Sequence, residues 1–534
     1  MAWALLIAAT LYLCYFSHLG ALGFVGPDEP RYAWVARGMA ETGDWVTPRL
    51  YGQPWFEKPV LYYWGAALSF KLFGVSEAAA RLPSALSALL ATLGLAWLAQ
   101  RVYGAAAARW LLGLLPSTIG MLGFSHAAAT DMPFSGMLTM AMVCAAVVLG
   151  LTRNEHTPIL PRAPWLALVL FGVFLGSAVL AKGPAALILS GGAVFFWGLF
   201  TKRWRDVFRL LHPAAVMAFC ATALPWYILC ARRNPDFFRV FIIEHNFKRY
   251  LTPEFQHIRP FWFYVPVLLL AFLPWTAMLV WSSAVGLRAL ARTRLASGMT
   301  WFLICWAGFC VAFFSTSHSK LPGYILPAIP AIALLMTHVL VRKRDRHHVS
   351  LRIAHFASAA SFLLIFAFVE MPSAHQNFAS GKTASAVAIL MSLFAFANAI
   401  MGIFPVLPRF AHRELATAMA VVPVLVAVLL GNFLVTSYFP GDPSGRVVAQ
   451  ELQRRNIPPG ALTVANMNRG QQYSLSFYLH QEIKPWDASE TGGYLLTGSQ
   501  TCAGQVGPKF YCEQQPFDSP STGEFLYLVI PIAK

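Results

Sequence analysis

The sequence predicts an all-α polytopic membrane protein that ends in a small α/β domain. Three observations carry that prediction. The 534 residues are 57% hydrophobic and only 12% charged, about half the charge of an ordinary soluble domain. Apolar runs of about 18 to 24 residues, long enough to cross a bilayer, recur up to residue 438. Beyond Pro440 the chain turns to Asp, Gln, Asn, Gly and Pro, with shorter apolar runs.

The apolar runs fall at 3–25, 80–100, 107–124, 131–151, 164–181, 185–201, 211–230, 262–286, 300–315, 322–340, 353–371, 384–406 and 415–438, which makes about 13 transmembrane helices. Backbone groups in hydrocarbon must bond within their own segment, so each run is expected to be helical. The first, Trp3 to Phe24, lacks a basic leader and a cleavage pattern, and reads as a retained helix. Lys and Arg gather in alternate short loops: Arg101 and Arg109, Arg153 and Arg162, Lys202 to Arg209, Arg288 to Arg294, Arg342 to Arg352, and Arg409 and Arg413. Those loops are assigned to the cytoplasm. The net charge of +17 therefore reports topology and membrane lipids, and nucleic acid is not an expected partner.

The opposite loops face outward and hold nearly every polar motif. The tail joins them. It reads as a helix near Arg446–Arg455 among strands such as LTVAN and FLYLVIPI. The expected domains are 1–438 in the membrane and 439–534 outside it. Six cysteines (Cys14, Cys144, Cys220, Cys230, Cys305, Cys310) lie in or beside apolar runs and act as small hydrophobes. Cys502 and Cys512 lie in the tail, where an oxidising compartment would join them. The chain has no P-loop, dinucleotide fingerprint, HExxH or paired CxxC.

The stretch Gly26 to Trp64 concentrates the scarce charge: Asp28, Glu29, Arg31, Arg37, Glu41, Asp44, Arg49, Glu57 and Lys58. A connector this long is often functional. In DEPRY, Asp28 either caps a helix starting near Glu29–Pro30 or faces a cavity, with Arg31 one turn along the same face. In WFEKP, Lys58 suits a phosphate, although an interfacial loop has the same residue types. The stretch ARGMAETGDWVTPRL between them has an amphipathic helical period and is expected to lie in the interface. Asp131 in TDMPF is either a cap or a cavity acid, and Lys182 in AKGP suits a helix C-terminus. His126 reads as a surface side chain. The loop 232–261 holds Lys248 and Arg249 among aromatic residues, and fits a lipid phosphate or a membrane surface. In SHSKLPGYILP, Ser317, His318, Lys320 and Tyr324 precede a helix broken by prolines.

Taken in order, DEPRY, GDWVTPRLYGQPWFEKPVLYYW, TDMPF, LAKGP, PWY…NPDFF…EHNFKRY and SHSKLPGYILP resemble the GT-C type lipid-linked glycosyltransferases. The nearest subgroups are the bacterial lipid A aminoarabinose transferases and the protein mannosyltransferase-like relatives. The resemblance covers residues 1 to 340 and continues loosely to SLSFYLH at 474–480. It implies an inverting enzyme that moves a sugar from undecaprenyl phosphate to lipid A on the periplasmic face of the bacterial inner membrane. By matched motif it implies Asp28, Asp131 and Glu57 as catalytic residues. It places Lys58, Arg31, Arg249, Tyr32 and Tyr324 at the donor phosphate or its pocket. No cofactor is required by the chemistry, although family members bind a divalent ion near these acids; the metal ligands are unknown here. Trp55 departs from the Tyr expected before FEKP, which leaves the sugar open.

Two alternatives stand beside this reading. One is the same reaction with another sugar and a protein or other glycan as acceptor. The other is a transporter of a polyprenyl-linked substrate, which would be expected to show paired halves with matched broken helices; the sequence shows none.

Overall fold

The computed structural model describes residues 2–152, 164–248, 258–293, 297–369, 381–403, 425–426, 428–429, 444–487, 492–517 and 523–532. The chain forms two compact units, one of residues 1–17, 56–62 and 83–433, the other of 18–55, 63–82 and 434–534.

The first unit is built of helices. Among the described residues, six helices are long and apolar enough to cross a membrane: Glu77–Tyr103, Asp131–Val148, Trp165–Lys182, Pro213–Arg233, Gly298–Thr316 and Pro322–Val341. Two bent pairs, Ala105–Leu114 with Ile119–Ser125 and Phe261–Ala271 with Thr276–Leu290, raise the count to eight if each is one span. The protein is thus a polytopic helical membrane protein. The expected runs at 3–25 and 185–201 form shorter helices, Trp3–Tyr15 and Ala185–Thr201. The run at 415–438 falls almost wholly outside the described residues.

Two boundaries differ from the sequence expectation. The runs at 322–340 and 353–371 belong to one helix, Ile329–Val369. The basic stretch between them contains no Gly and no further Pro, and Arg and Lys are good helix formers, so nothing stops the helix. A helix at Leu61–Phe73 was not expected, because its 13 residues are too few to stand out as a span.

Apolar helices gain little from the hydrophobic effect inside a bilayer, so close backbone approach must replace it. Gly172 and Gly176 supply it on the helix Pro164–Lys182. A Cβ at Gly172 would lie 2.2 Å from the Ala215 carbonyl oxygen, and one at Gly176 would lie 2.9 Å from the Thr222 Cβ. These two glycines seat that helix against Pro213–Arg233. Trp197, Trp275 and Trp306 are fully buried in the same unit. The Trp197 indole donates to the Gly298 carbonyl at 2.8 Å, and Trp275 donates to Ser117 at 2.9 Å.

In the second unit, the helix Asp28–Thr42 ends where Gly43 takes a left-handed conformation, φ 72°, and its N–H reaches the Met39 carbonyl. The Asp44 carboxylate then accepts from the Val46 and Thr47 N–H groups, which folds the chain into a turn. A two-stranded hairpin follows, β1 (Arg49–Leu50) with β2 (Gln53–Pro54). The single amphipathic helix expected across this stretch is therefore only half helix. Gly43, the Asx turn and Pro48 stop it.

The C-terminal part is an α/β fold, as its composition suggested. Strands β3 (Leu462–Ala465), β4 (Lys484–Pro485), β5 (Gly493–Thr497), β6 (Phe510–Gln515) and β7 (Phe525–Pro531) form one mixed sheet in the order β4-β3-β5-β7-β6. The helices Arg446–Arg454 and Arg469–Leu479 bury Val448, Leu452, Leu475 and Leu479 with Val464, Leu496 and Leu526 of the sheet. Cys502 and Cys512 form a disulfide.

Candidate functional site

The described candidate residues fall into three groups, Asp28, Arg31 and Tyr32 in the second unit, and Glu57 with Lys58 and Asp131 with Tyr324 in the first. In the second unit, Asp28 opens its helix, and the preceding Pro27 offers no side-chain cap. The Asp28 carboxylate turns instead to Arg31, one turn along, and forms an ion pair. Its side chain remains 49% exposed while that of Arg31 is 8% exposed, so the acid has an open side and its cation does not. Capping is not its use. The Arg31 Nε donates to the Pro27 carbonyl at 2.8 Å, and the guanidinium lies 5.6 Å from the Trp55 ring. Tyr32 is buried and meets Tyr63 edge-on at 5.9 Å.

Next to Asp28, the Glu29 carboxylate is buried against Arg81. The Arg81 side chain also donates to the carbonyls of Leu19, Leu22 and Gly23. The first turn of the helix is thus fastened to the connector before it. Arg81 was not among the expected residues. Its position as the fifth residue of the membrane helix Glu77–Tyr103, at the edge of an apolar run, was the available signal.

In the first unit, Glu57 and Lys58 pair at 3.6 Å, and both are mostly buried. Phe56 before them packs edge-on against Phe237 at 5.2 Å. Asp131 begins its helix after Thr130, whose side chain does not cap. The Asp131 carboxylate accepts from the Lys182 ammonium at 2.5 Å. Lys182 ends the helix Pro164–Lys182, and its ammonium lies 4.7 Å from the Tyr324 ring and 5.6 Å from Phe134. Tyr324 lies in a short 3-10 segment, Pro322–Ala328. Gly323 before it leaves room for the acid: a Cβ there would meet the Asp131 Oδ1 at 2.8 Å.

Asp131, Lys182 and Tyr324 therefore form one group. The macrodipole account of Lys182 was incomplete, because the residue is the partner of Asp131. An acid and a base at like-facing ends of neighbouring spans could have revealed the pair.

Lys320 is buried and donates to the carbonyls of Ser317 at 2.5 Å and Arg259 at 3.1 Å. Burial pushes its ammonium below the ordinary lysine range. His126 is not a surface group of the site: its ring nitrogens lie 2.9 Å from the Leu122 and Ser17 carbonyls. Arg249 lies outside the described residues. Among the described residues no three His, Cys, Asp or Glu side chains gather as metal ligands.

Chemically, a half-exposed carboxylate held by a guanidinium can accept a proton from a bound hydroxyl. Ammonium groups of low exposure can stabilise charge that develops on a phosphate.

Residues 1–241 match the family model described as dolichyl-phosphate-mannose-protein mannosyltransferase. Among similar proteins is the undecaprenyl phosphate-alpha-4-amino-4-deoxy-L-arabinose arabinosyl transferase of Edwardsiella ictaluri. It is 32% identical over 61% of this chain and 57% of its own length. A protein of the same description from Pseudomonas aeruginosa is 33% identical over 64% of this chain and 60% of its length. The chain thus spans less than two thirds of these relatives. The crystal structure of ArnT from Cupriavidus metallidurans bound to undecaprenyl phosphate superposes with a TM-score of 0.80. It covers 99% of this chain and 98% of that one at 23% identity, a likeness of fold. The chain resembles the GT-C type polyprenyl-phosphate-sugar glycosyltransferases in family model, in relatives and in fold.

Proposed function

We propose that this chain is an inverting GT-C glycosyltransferase that moves a sugar from undecaprenyl phosphate to lipid A, with 4-amino-4-deoxy-L-arabinose as the sugar. The observation that carries the proposal is the Asp131–Lys182 pair at Tyr324, built from residues on three separate elements. An ion pair at membrane helix ends is costly without a task. The relatives' described activity and the Cupriavidus protein's bound carrier lipid supply the substrate class.

In this reading the acceptor oxygen attacks the anomeric carbon as the bond to the carrier phosphate breaks, and the configuration inverts. Lys58, Arg31 and Arg249 meet the negative charge on the departing phosphate, with Tyr32 and Tyr324 in its pocket. Asp28 accepts the proton when the acceptor is a hydroxyl. A lipid A phosphate is already anionic and needs orientation more than deprotonation. Glu57 and Asp131 hold the cations Lys58 and Lys182 in place. The displacement balances without a cofactor. If a divalent ion assists near these acids, a chelator lowers turnover.

The finer topology belongs to the same proposal. It has about 13 spans in residues 1–438 and a domain at 439–534. Both the reaction site and that domain face the periplasm from the inner membrane, as the Lys and Arg distribution indicates.

The test is transfer by the purified full chain in detergent, with undecaprenyl-phosphate aminoarabinose and lipid A, read by product mass. The wild type should add the sugar. Asp28→Asn and Lys58→Ala should each abolish addition while retaining the wild-type unfolding midpoint. Normal transfer by both variants would falsify the site. A mass gain on a protein or another glycan, with lipid A unchanged, selects the alternative acceptor. The Trp55 departure motivates including donors with other sugars.

A further inference from the structure

Arg31 pairs with the half-exposed Asp28, and its guanidinium is nearly buried. Two aromatic rings lie against it besides that of its neighbour Tyr32. One is Trp55, with a centroid 5.6 Å from Cζ. The other is Tyr473, closer still at 5.3 Å. Tyr473 belongs to the helix Arg469–Leu479 of the C-terminal sheet domain. A guanidinium within about 6 Å of a ring face is drawn to it, and more strongly when water is excluded.

Tyr473 is itself held from two sides. Its hydroxyl accepts from the Arg469 Nη2 at 3.3 Å. Its ring stacks on Tyr51 at 6.5 Å, with 25° between planes. Tyr51 occupies the turn of the β1–β2 hairpin at φ 51°, a region that bulky residues rarely adopt. Trp34 also packs against Tyr51, edge-on at 4.8 Å. The turn therefore presents an aromatic side chain to Tyr473 at a conformational cost. Such outliers persist where surrounding structure requires them.

We propose that Tyr473 is a positioning residue for the Asp28–Arg31 pair. Its ring fixes the plane of the Arg31 guanidinium, so that Asp28 keeps one orientation during turnover. The C-terminal domain thereby contributes to the reaction centre without touching substrate. The inference rests on the transferase reading for its kinetic consequence. Its physical core, a ring that restrains Arg31, does not depend on that reading.

The test uses the full chain in detergent with Tyr473→Phe, Tyr473→Leu and Tyr473→Met. Phe retains the ring; Leu and Met retain apolar bulk without one. Two readouts are taken at equal unfolding midpoint. The first is kcat and donor KM for sugar transfer. Tyr473→Phe should stay within about twofold of wild type, whereas both ringless variants should lose about tenfold in kcat at nearly constant KM. The second is the rate at which phenylglyoxal modifies Arg31, read by peptide mass. It should rise about fivefold in the ringless variants and stay unchanged with Phe.

Equal behaviour of Phe, Leu and Met in either readout overturns the proposal, because bulk alone then suffices. A change in KM alone also overturns it. If the wild type transfers no sugar, the functional reading fails, and the phenylglyoxal rates still decide the role of Tyr473. If one ringless variant does not fold, the other supplies the comparison.

Discussion

Arg81 grips Glu29 through two donors side by side, Nε to Oε1 at 3.0 Å and Nη2 to Oε2 at 2.8 Å. Its other three N–H groups take the carbonyls of Leu19, Leu22 and Gly23 at 2.7 to 2.9 Å. All five guanidinium donors are thus matched in a buried site. Lysine has three donors and no planar fork. Arg81→Lys should lower stability, and Arg81→Ala should lower it by about 3 to 5 kcal/mol, because a buried carboxylate then loses its cation. Thermal unfolding in detergent checks both. A midpoint equal to wild type in Arg81→Ala would show that Glu29 finds a second cation.

Lys182 is expected to matter for turnover through Asp131. Lys182→Met should reduce transfer about 100-fold by misplacing the acid and removing a positive charge. The double variant Asp131→Asn with Lys182→Met should be little worse than either single variant, because the pair acts as a unit. Strict multiplication of the two losses would count against a shared role.

Gly323 is expected to resist even a methyl group. In Gly323→Ala the new Cβ would meet the Asp131 Oδ1 at 2.8 Å and the Phe124 ring at 2.8 Å, tighter than ordinary contact. The acid is the more movable neighbour. The variant should lose about tenfold in kcat, the cost of a misplaced acid, with a small change in unfolding midpoint. Full activity would mean that Asp131 is not needed where it stands.

The Tyr51 phenol gives a prediction in pH. Burial pushes its pKa from 10.0 up to about 12, with Tyr473 and Glu482 acting in the same direction. The folded chain therefore keeps a proton that the unfolded chain loses first. Between pH 10 and 12 the folded state binds more protons, so stability falls as pH rises. The unfolding midpoint of Tyr51→Phe should decline less steeply over that window. Parallel declines would assign the loss to other groups.

Much of the molecule was legible before its folding was known. The membrane class followed from apolar run length, which depends on local composition alone. The α/β tail followed from LTVAN and FLYLVIPI, now β3 and β7. The DEPRY pair was readable because an i, i+3 spacing places Asp28 and Arg31 on one face.

Tertiary partners were not readable in the same way. Lys182 looked like a charge at a helix C-terminus, for which local physics already gives a sufficient reason, and nothing local pointed from Arg81 to Glu29. Their partners lie 51 and 52 residues away, and neither spacing has a periodicity. The hairpin at 49–54 was missed because Tyr51 is a poor residue for a left-handed turn.

The connector before Asp28 has one more property, which concerns time. The Phe24 N–H donates to the Tyr478 hydroxyl at 3.0 Å, and its carbonyl accepts from Ser474 at 3.1 Å. Arg446 reaches the Ala21 carbonyl at 3.1 Å. These partners lie 425 to 454 residues further along the chain, and chains emerge N-terminus first. For most of its synthesis the nascent chain has only the early Arg81 contacts to hold the connector. The connector gains its remaining contacts only when the helices Arg446–Arg454 and Arg469–Leu479 have been translated and folded. A product terminated before Arg446 therefore carries the connector without these three contacts.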